Sequence, residues 1–184
     1  MSSLPPDVCV HLLRIARQAL EASLAGRDDT PATSPDPRIK SHGVFVTLRK
    51  GATLRGCIGT FSASDDLCEA VRGMAVAALS DPRFESRRVL SSELPDLRIE
   101  ISTLSPLEKI ADPLSLRLGV HGIYIRKGPF GGCFLPDVAS EYGWDAKTFL
   151  AQCCSQKAGL SPTAWKQPDT DVFVFSVQKI SEPP

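Results

Sequence analysis

Residues 43–61 read GVFVTLRKGATLRGCIGTF, and this stretch indicates which class of fold the chain adopts. It holds two alternating runs, Gly43–Arg49 and Leu54–Phe61, with a short turn segment between them. Two such runs around a short turn predict a β-hairpin. Gly56 and Gly59 lie inside the second run, where glycine usually marks a bulge or the close approach of a ligand or another backbone. The hairpin therefore carries the first candidate site.

The segments on either side of the hairpin alternate between helical and extended patterns. Helical spacing predicts a helix capped by Asp7 and ended by Gly26, and a second one that begins at Asp65 or Asp66 and ends at Asp81-Pro82. Further helices are predicted from Pro136 or Asp137 to Tyr142, from Asp145 to Gly159, and shortly after Ser161. Strands are predicted at Leu97–Leu104, Val120–Arg126, Cys133–Leu135 and Val172–Val177. Because the strands pair locally and follow no strict βαβ rhythm, the sequence predicts an α+β fold with a mostly antiparallel sheet and flanking helices.

Length and charge limit the classes of protein that fit. The 184 residues suggest one domain over residues 1–184, in two lobes, with a proline-rich exposed connector at residues 27–42. The 21 basic and 21 acidic residues cancel, so neither nucleic acid nor an anionic membrane is favoured as a partner. No apolar run approaches the roughly 20 residues that a membrane span needs. Arg14 and Arg17 interrupt what would be a signal-peptide core, so a cytoplasmic location is expected.

The six cysteines show no paired spacing of the C-x-x-C kind, which argues against zinc ribbons and thioredoxin-type redox sites. No metal or cofactor is predicted. The adjacent Cys153 and Cys154 point about 100° apart on a helix and would not bridge without distortion. Apart from Cys57, the cysteines are interpreted as small packed hydrophobic residues.

Cys57 and Arg55 form the densest polar feature of the hairpin. Strand alternation places them on one face, about 7 Å apart at the backbone. The attraction between a thiolate and a guanidinium at that distance is about 0.6 kcal/mol in water but about 2.4 kcal/mol at an effective dielectric near 20. Arg55 would therefore activate the thiol only in a sheltered cleft. The alternative interpretation is a packed cysteine beside an arginine that binds a carboxylate.

Two further side chains are candidates for the same site. His121, between Val120 and Gly122, could orient or deprotonate Cys57 if the lobes bring them together, or it could be a hydrogen-bonded core residue. In the sequence Asp81-Pro-Arg-Phe84, Asp81 could accept from backbone amides or pair with Arg83, or the corner could present Arg83 to an anionic ligand. His11 is interpreted as structural or solvated, and His42 precedes the hairpin.

At these residues the chain resembles the AMMECR domain family. The resemblance rests on the hairpin motif LRGCIGTF at Leu54–Phe61 and on motifs that follow in the family order. These are Ala77-Ala78, DPRF at Asp81–Phe84, Glu93-Leu94, IEISTLS at Ile99–Ser105, GVHGI at Gly119–Ile123, FLPDVA at Phe134–Ala139, YGWD at Tyr142–Asp145 and KAGL at Lys157–Leu160. The chain is more similar to the microbial branch, called AmmeMemoRadiSam system protein A, than to the longer eukaryotic members.

The resemblance implies an α+β fold in two lobes with a cleft between them, to which the hairpin contributes. It also implies a genomic association with a Memo-like protein and a radical S-adenosylmethionine protein, which are the expected partners. It implies no particular reaction.

Two functional hypotheses follow. In the first, the protein is a binding or regulatory module that recognises a small acidic ligand or a partner segment through Arg55, Gly56, Gly59 and Arg83. In the second, it is an enzyme with Cys57 as nucleophile, His121 as base and Arg55 as electrostatic support. The first is favoured because no third orienting residue is evident from the spacing.

Overall fold

The structure is a computed structural model that describes residues 3–27, 43–61 and 66–183. The predicted connector lies outside the described residues except for Arg27, and His42 and Asp65 lie outside them as well. Two four-stranded sheets with flanking helices confirm the predicted α+β class.

The α-helices are α1 (Pro6–Leu24), α2 (Leu67–Leu79), α3 (Pro136–Tyr142) and α4 (Ala146–Gln152). The strands are β1 (Val44–Lys50), β2 (Thr53–Thr60), β3 (Leu97–Leu104), β4 (Glu108–Lys109), β5 (Gly122–Lys127), β6 (Phe130–Phe134), β7 (Asp171–Phe175) and β8 (Val177–Ser181). The first sheet has the order β2-β1-β3-β8 and the second β4-β7-β5-β6.

The chain divides into two compact units, and the first comprises residues 1–104 and 178–184. Its predicted hairpin is confirmed: β1 and β2 are antiparallel, and Gly51 has the positive φ of 57° that such a tight turn favours. Helix α1 packs on α2, and α2 packs on β1 and β2. The core between these elements is built from aliphatic side chains that include Leu12, Leu20, Leu48 and Ile99.

The ends of the helices in this unit follow local chemistry. The predicted Asp7 cap is wrong, because Pro5 holds the cap position and the helix begins at Pro6, whose fixed φ suits a first turn. Gly26, with a φ of 63°, follows the end of α1 as predicted. Asp66 caps α2 by accepting from the amides of Cys68 and Glu69.

The second unit comprises residues 105–177. Its predicted strand at Val120 starts later, at Gly122, because the amides of Val120 and His121 both donate to the Arg117 carbonyl in a turn. The helix predicted to end at Gly159 consists of α4 and a π-helical turn at Cys153–Lys157. Three further boundaries differ: β6 begins at Phe130, the helix after Ser161 is a 3₁₀ turn at Ala164–Lys166, and the strand predicted at Val172–Val177 is divided into β7 and β8.

The cysteines are all free thiols. Cys68, Cys153 and Cys154 are buried, and burial raises the pKa of the Cys153 and Cys154 thiols above the ordinary range. Cys9, Cys57 and Cys133 are half-buried. Across residues 3–27, 43–61 and 66–183, no helix has the length and apolar character needed to cross a bilayer.

Candidate functional site

Strand β2 lies at the edge of the first sheet, and a β-bulge interrupts its pairing with β1. Leu48 is paired with Gly56 and Arg49 with Leu54, so Arg55 is the extra residue. A bulge locally disrupts the ladder and re-aims the side chain it carries. The simple alternation that predicted a shared face for Arg55 and Cys57 therefore does not hold across this point.

Arg55 is bound by internal partners. Its guanidinium makes a two-point ion pair with the Glu93 carboxylate, including an Nη2–Oε2 contact of 3.0 Å, and donates to the carbonyls of Arg87 at 3.0 Å and Arg88 at 3.3 Å. The Arg55 and Glu93 side chains are each only 15% exposed. This hydrogen bonding from Arg55 holds the pKa of Glu93 below its usual range. The arrangement matches the alternative interpretation of an arginine that binds a carboxylate.

Asp81 forms the centre of a corner that covers the outer edge of β2. Its side chain is 1% exposed and accepts from the Cys57 amide at 2.9 Å and the Arg83 amide at 3.0 Å. It also caps the 3₁₀ segment Pro82–Arg87. The Arg83 guanidinium and the two amides lower the pKa of Asp81 from 3.8 to about 2, although burial opposes this.

Arg83 is held in one orientation by this corner. Its Nε and Nη2 donate to the two Asp81 oxygens at 3.1 and 2.7 Å, and Nη2 also donates to the Cys57 carbonyl at 2.9 Å. Its guanidinium lies 5.6 Å from the centre of the Phe84 ring. The side chain nevertheless remains 57% exposed.

The Cys57 thiol faces the neighbouring strand and Arg83. The backbone amide of Cys57 bonds to Asp81 and its carbonyl to Arg83, so neither bonds to β1. Cys57 and its partner Thr47 are therefore a non-hydrogen-bonded pair of the ladder, in which the two side chains lie close together. The Thr47 hydroxyl donates to the Cys57 sulfur at 3.2 Å. The pKa of Arg83 is raised mainly by Asp81 and in smaller part by the Cys57 thiol, so Arg83 is a cation that interacts with this sulfur.

The two strand glycines allow close packing. A Cβ on Gly56 would lie 2.0 Å from the Ala78 carbonyl oxygen in the last turns of α2, so the predicted approach of another backbone is observed there. A Cβ on Gly59 would lie 2.3 Å from the Phe45 ring on β1. Both glycines thus position β2 against its neighbours.

His121 is placed in the second unit and its ring is hydrogen-bonded to Arg117. The Arg117 amide donates to Nδ1 at 3.2 Å, and the Arg117 guanidinium Nη2 lies 3.4 Å from Nε2, so both ring nitrogens face a donor of Arg117. Burial, and then the Arg117 charge, lower the pKa of His121 from its ordinary value, while Glu108 opposes this. A general base needs a ring nitrogen that is free to accept a proton, so the Arg117 donors beside both nitrogens weigh against a role as base.

The structure thus brings Cys57, Asp81 and Arg83 together in the first unit and directs Arg55 to Glu93. Sequence reasoning missed Thr47 and Glu93. The register of a regular hairpin would pair Thr47 with Gly56, and only the bulge brings Thr47 opposite Cys57, so the sequence gives no signal for this contact. Glu93 has no local signal either, because it is 38 residues from Arg55 along the chain.

The fold and the site define an α+β protein with two sheets, whose first unit presents a half-buried thiol beside an arginine anchored by a buried carboxylate. The chain belongs to the AMMECR1 family, because the model of that family matches residues 13–180. This confirms the resemblance that the hairpin motif indicated.

Similar proteins support the same assignment over nearly the whole chain. A protein of Methanothermobacter thermautotrophicus is 41% identical over 180 residues, covering 93% of this chain and 92% of that protein. Protein TK0174 of Thermococcus kodakarensis is 38% identical over 184 residues, covering 93% and 88% of the two chains. The crystal structure of the uncharacterized protein PH0010 from Pyrococcus horikoshii has a TM-score of 0.81 at 36% identity, covering 94% of this chain and 90% of that one.

Proposed function

We propose that the protein is a binding or regulatory module that recognises an acidic group of a small ligand or of a partner segment. The proposal extends to its setting: a cytoplasmic component of the AmmeMemoRadiSam system, with the Memo-like protein and the radical S-adenosylmethionine protein as partners. The closer resemblance of the chain to the microbial branch of the family supports this setting. Within the site, Arg83 is the anchor, and Arg55 positions the segment that carries it.

The orientation of Arg83 is the observation that carries the proposal. Asp81 and the Cys57 carbonyl fix two nitrogens of the guanidinium, and the side chain is still 57% exposed, so part of it stays accessible to a ligand. A guanidinium that is already oriented loses less conformational freedom when it binds a carboxylate or phosphate. Arg55 lacks this property, because Glu93 and two carbonyls already occupy its donors.

Replacement of Arg83 by glutamine is expected to weaken binding of the partner at least about tenfold, the effect of losing a hydrogen bond between charged groups. The measurement is calorimetric titration with the purified Memo-like and radical S-adenosylmethionine proteins of the same organism. Arg83→Lys should recover only part of the affinity, because lysine lacks the planar fork.

Arg126→Gln is the matched control for this titration. Arg126 is 52% exposed, pairs with Asp171 at 2.9 Å and lies 5.1 Å from the Phe173 ring, so it resembles Arg83 but is in the second unit. Its replacement should leave the affinity unchanged. Equal affinity of the Arg83→Gln variant and the unchanged protein, or no binding of either partner, would contradict the proposal.

The second candidate function is an enzyme with Cys57 as nucleophile, and the hydrogen bond from Thr47 to its sulfur favours it. A donor to sulfur and a nearby guanidinium stabilise a thiolate. Under limiting iodoacetamide at neutral pH, Cys57 is then expected to be alkylated before the other half-buried thiols, Cys9 and Cys133, as read by peptide mass spectrometry. If Cys57 is modified last among the three, the nucleophile hypothesis is wrong.

A further inference from the structure

We propose that the groove beside Arg83 is the docking site for a short acidic peptide segment that carries one large apolar side chain. The groove is defined here by Leu54, Phe84 and Leu90 with Arg87 and Arg88. This inference rests on the proposed function, since the segment would belong to the partner whose acidic group binds Arg83.

The groove has the size and the apolar surface to accept a side chain. Its volume is about 430 Å³, within the range of about 300–1,000 Å³ that ligand pockets occupy. Leu54 and Phe84 line it, and Leu90 is 62% exposed within it. A leucine exposed to this extent next to an aromatic ring leaves apolar area that an incoming apolar side chain would remove from water.

The charge of the groove selects an acidic occupant. Arg87 and Arg88 are exposed at its rim, and Arg88 makes only a loose contact of 3.7 Å with Glu85. The Arg87 side chain has no ion pair or hydrogen bond with any residue in the described ranges 3–27, 43–61 and 66–183. Glu93, the acidic group in the lining, is occupied by Arg55.

The rim is held in place before anything binds. Arg55 holds the carbonyls of both Arg87 and Arg88, so the backbone from which these two side chains extend is fixed to β2. Preorganisation of this kind lowers the entropic cost of docking. The groove therefore combines a backbone fixed to β2 with exposed cationic side chains at its edge.

The number and spacing of the arginines favour a peptide over a small acid. Arg83, Arg87 and Arg88 extend along one short segment, so more than one carboxylate is needed to use all of them. The apolar lining fits an amino-acid side chain between those carboxylates. A nucleic-acid strand could also engage the arginines, but the apolar lining would gain nothing from phosphates, and the chain has zero net charge.

The test is fluorescence anisotropy of the full chain with a labelled peptide in which one phenylalanine is flanked by two glutamates on each side. Arg87→Gln is expected to weaken binding about threefold, as for an exposed charge pair. Leu90→Ser should weaken it about tenfold, through loss of apolar contact. A peptide with lysine in place of glutamate should bind at least tenfold more weakly.

Matched variants in the second unit serve as controls. Arg126→Gln and Leu118→Ser alter an exposed arginine and a 40% exposed leucine, and both should leave peptide affinity unchanged. Equal affinity for the glutamate and lysine peptides would overturn the inference. So would tighter binding of a labelled oligothymidylate than of the glutamate peptide, or an unchanged affinity in the Leu90→Ser variant.

The two proposals fail in different ways. In one case Arg83→Gln abolishes binding of the partner proteins, but Leu90→Ser and Arg87→Gln leave the affinities for peptide and partners unchanged. The groove is then not used, and the proposed function remains. If the peptide binds through Leu90 while neither partner protein binds, the proposed partners are wrong and the groove remains.

Discussion

Replacement of Asp81 by asparagine is expected to lower the free energy of unfolding by about 3 kcal/mol at pH 7. Hydrogen bonds to a charged group contribute roughly 1.5–3 kcal/mol, and a buried donor left without a partner adds its own cost. Asp81 accepts from the amides of Cys57 and Arg83 and from the Arg83 guanidinium. Asparagine offers one oxygen and an NH₂ group, so at least one of these donors would face another donor. Urea unfolding followed by circular dichroism measures the loss.

The effect of this substitution should depend on pH in a defined window. Because the folded pKa of Asp81, about 2, lies below its ordinary value of 3.8, the unfolded chain takes up the proton first as the pH falls. The stabilisation by Asp81 is therefore complete above about pH 4 and is lost as the pH falls toward 2, by about 2 kcal/mol. The difference in the free energy of unfolding between the unchanged protein and the Asp81→Asn variant should therefore decrease between about pH 4 and pH 2. If this difference in the free energy of unfolding stayed constant from pH 7 to pH 2, Asp81 could not be ionised in the folded protein.

Asp112→Asn is the matched control. Asp112 also precedes a proline and caps a 3₁₀ turn, Pro113–Ser115, by accepting from the Leu114 amide at 2.9 Å. It is exposed and has no arginine two residues later. Since asparagine caps about as well as aspartate, this change should leave stability nearly unaltered. Equal losses at the two positions would mean that capping alone explains the effect at Asp81.

Replacement of Gly56 by alanine is expected to destabilise the first unit by about 3 kcal/mol or more. The added Cβ would lie 2.0 Å from the Ala78 carbonyl oxygen and 3.0 Å from its carbon. Both atoms belong to backbone, so neither a side-chain rotation nor a small adjustment relieves the overlap, and α2 must move away from β2. For a chain of this length the melting temperature should fall by about 10 °C. Differential scanning calorimetry provides the measurement.

Gly73→Ala, in the same helix α2, is the control for that experiment. A Cβ at Gly73 meets no heavy atom within 4 Å, and helical glycine is destabilising by up to about 1 kcal/mol relative to alanine. This variant should therefore be slightly more stable than the unchanged protein. A Gly56→Ala protein that melts at the same temperature as Gly73→Ala would show that the packing of α2 on β2 is not tight.

Local patterns made much of the fold predictable. The β1–β2 hairpin, helix α2 and strand β3 follow from alternation, helical spacing and the stop at Asp81-Pro82. The division of Val172–Val177 into β7 and β8 could not be predicted, because every residue there suits a strand and the break at Ser176 marks a change of sheet. Which sheet a strand joins depends on distant partners.

The site was predictable only in part, for the same reason. The pairing of Asp81 with Arg83 is local, and the sequence offered it as one of two interpretations. The partner of Arg55 is distant, and the bulge that re-aims Arg55 leaves no mark in the alternation of LRGCIGTF. The orientation of Arg83 over the Cys57 carbonyl likewise arises from tertiary packing of the corner on β2.

The position of β8 in the first sheet has a consequence for folding during synthesis. Strand β3 has β1 on one side, but its other neighbour, β8, is translated only after residues 105–176. Arg17 in α1 likewise finds its carboxylate partner only at Glu182. While the second unit is on the ribosome, the nascent first unit presents an open β3 edge to which other strands could bind. The hairpin and its arginine corner can therefore form early, whereas the sheet that supports them is completed last.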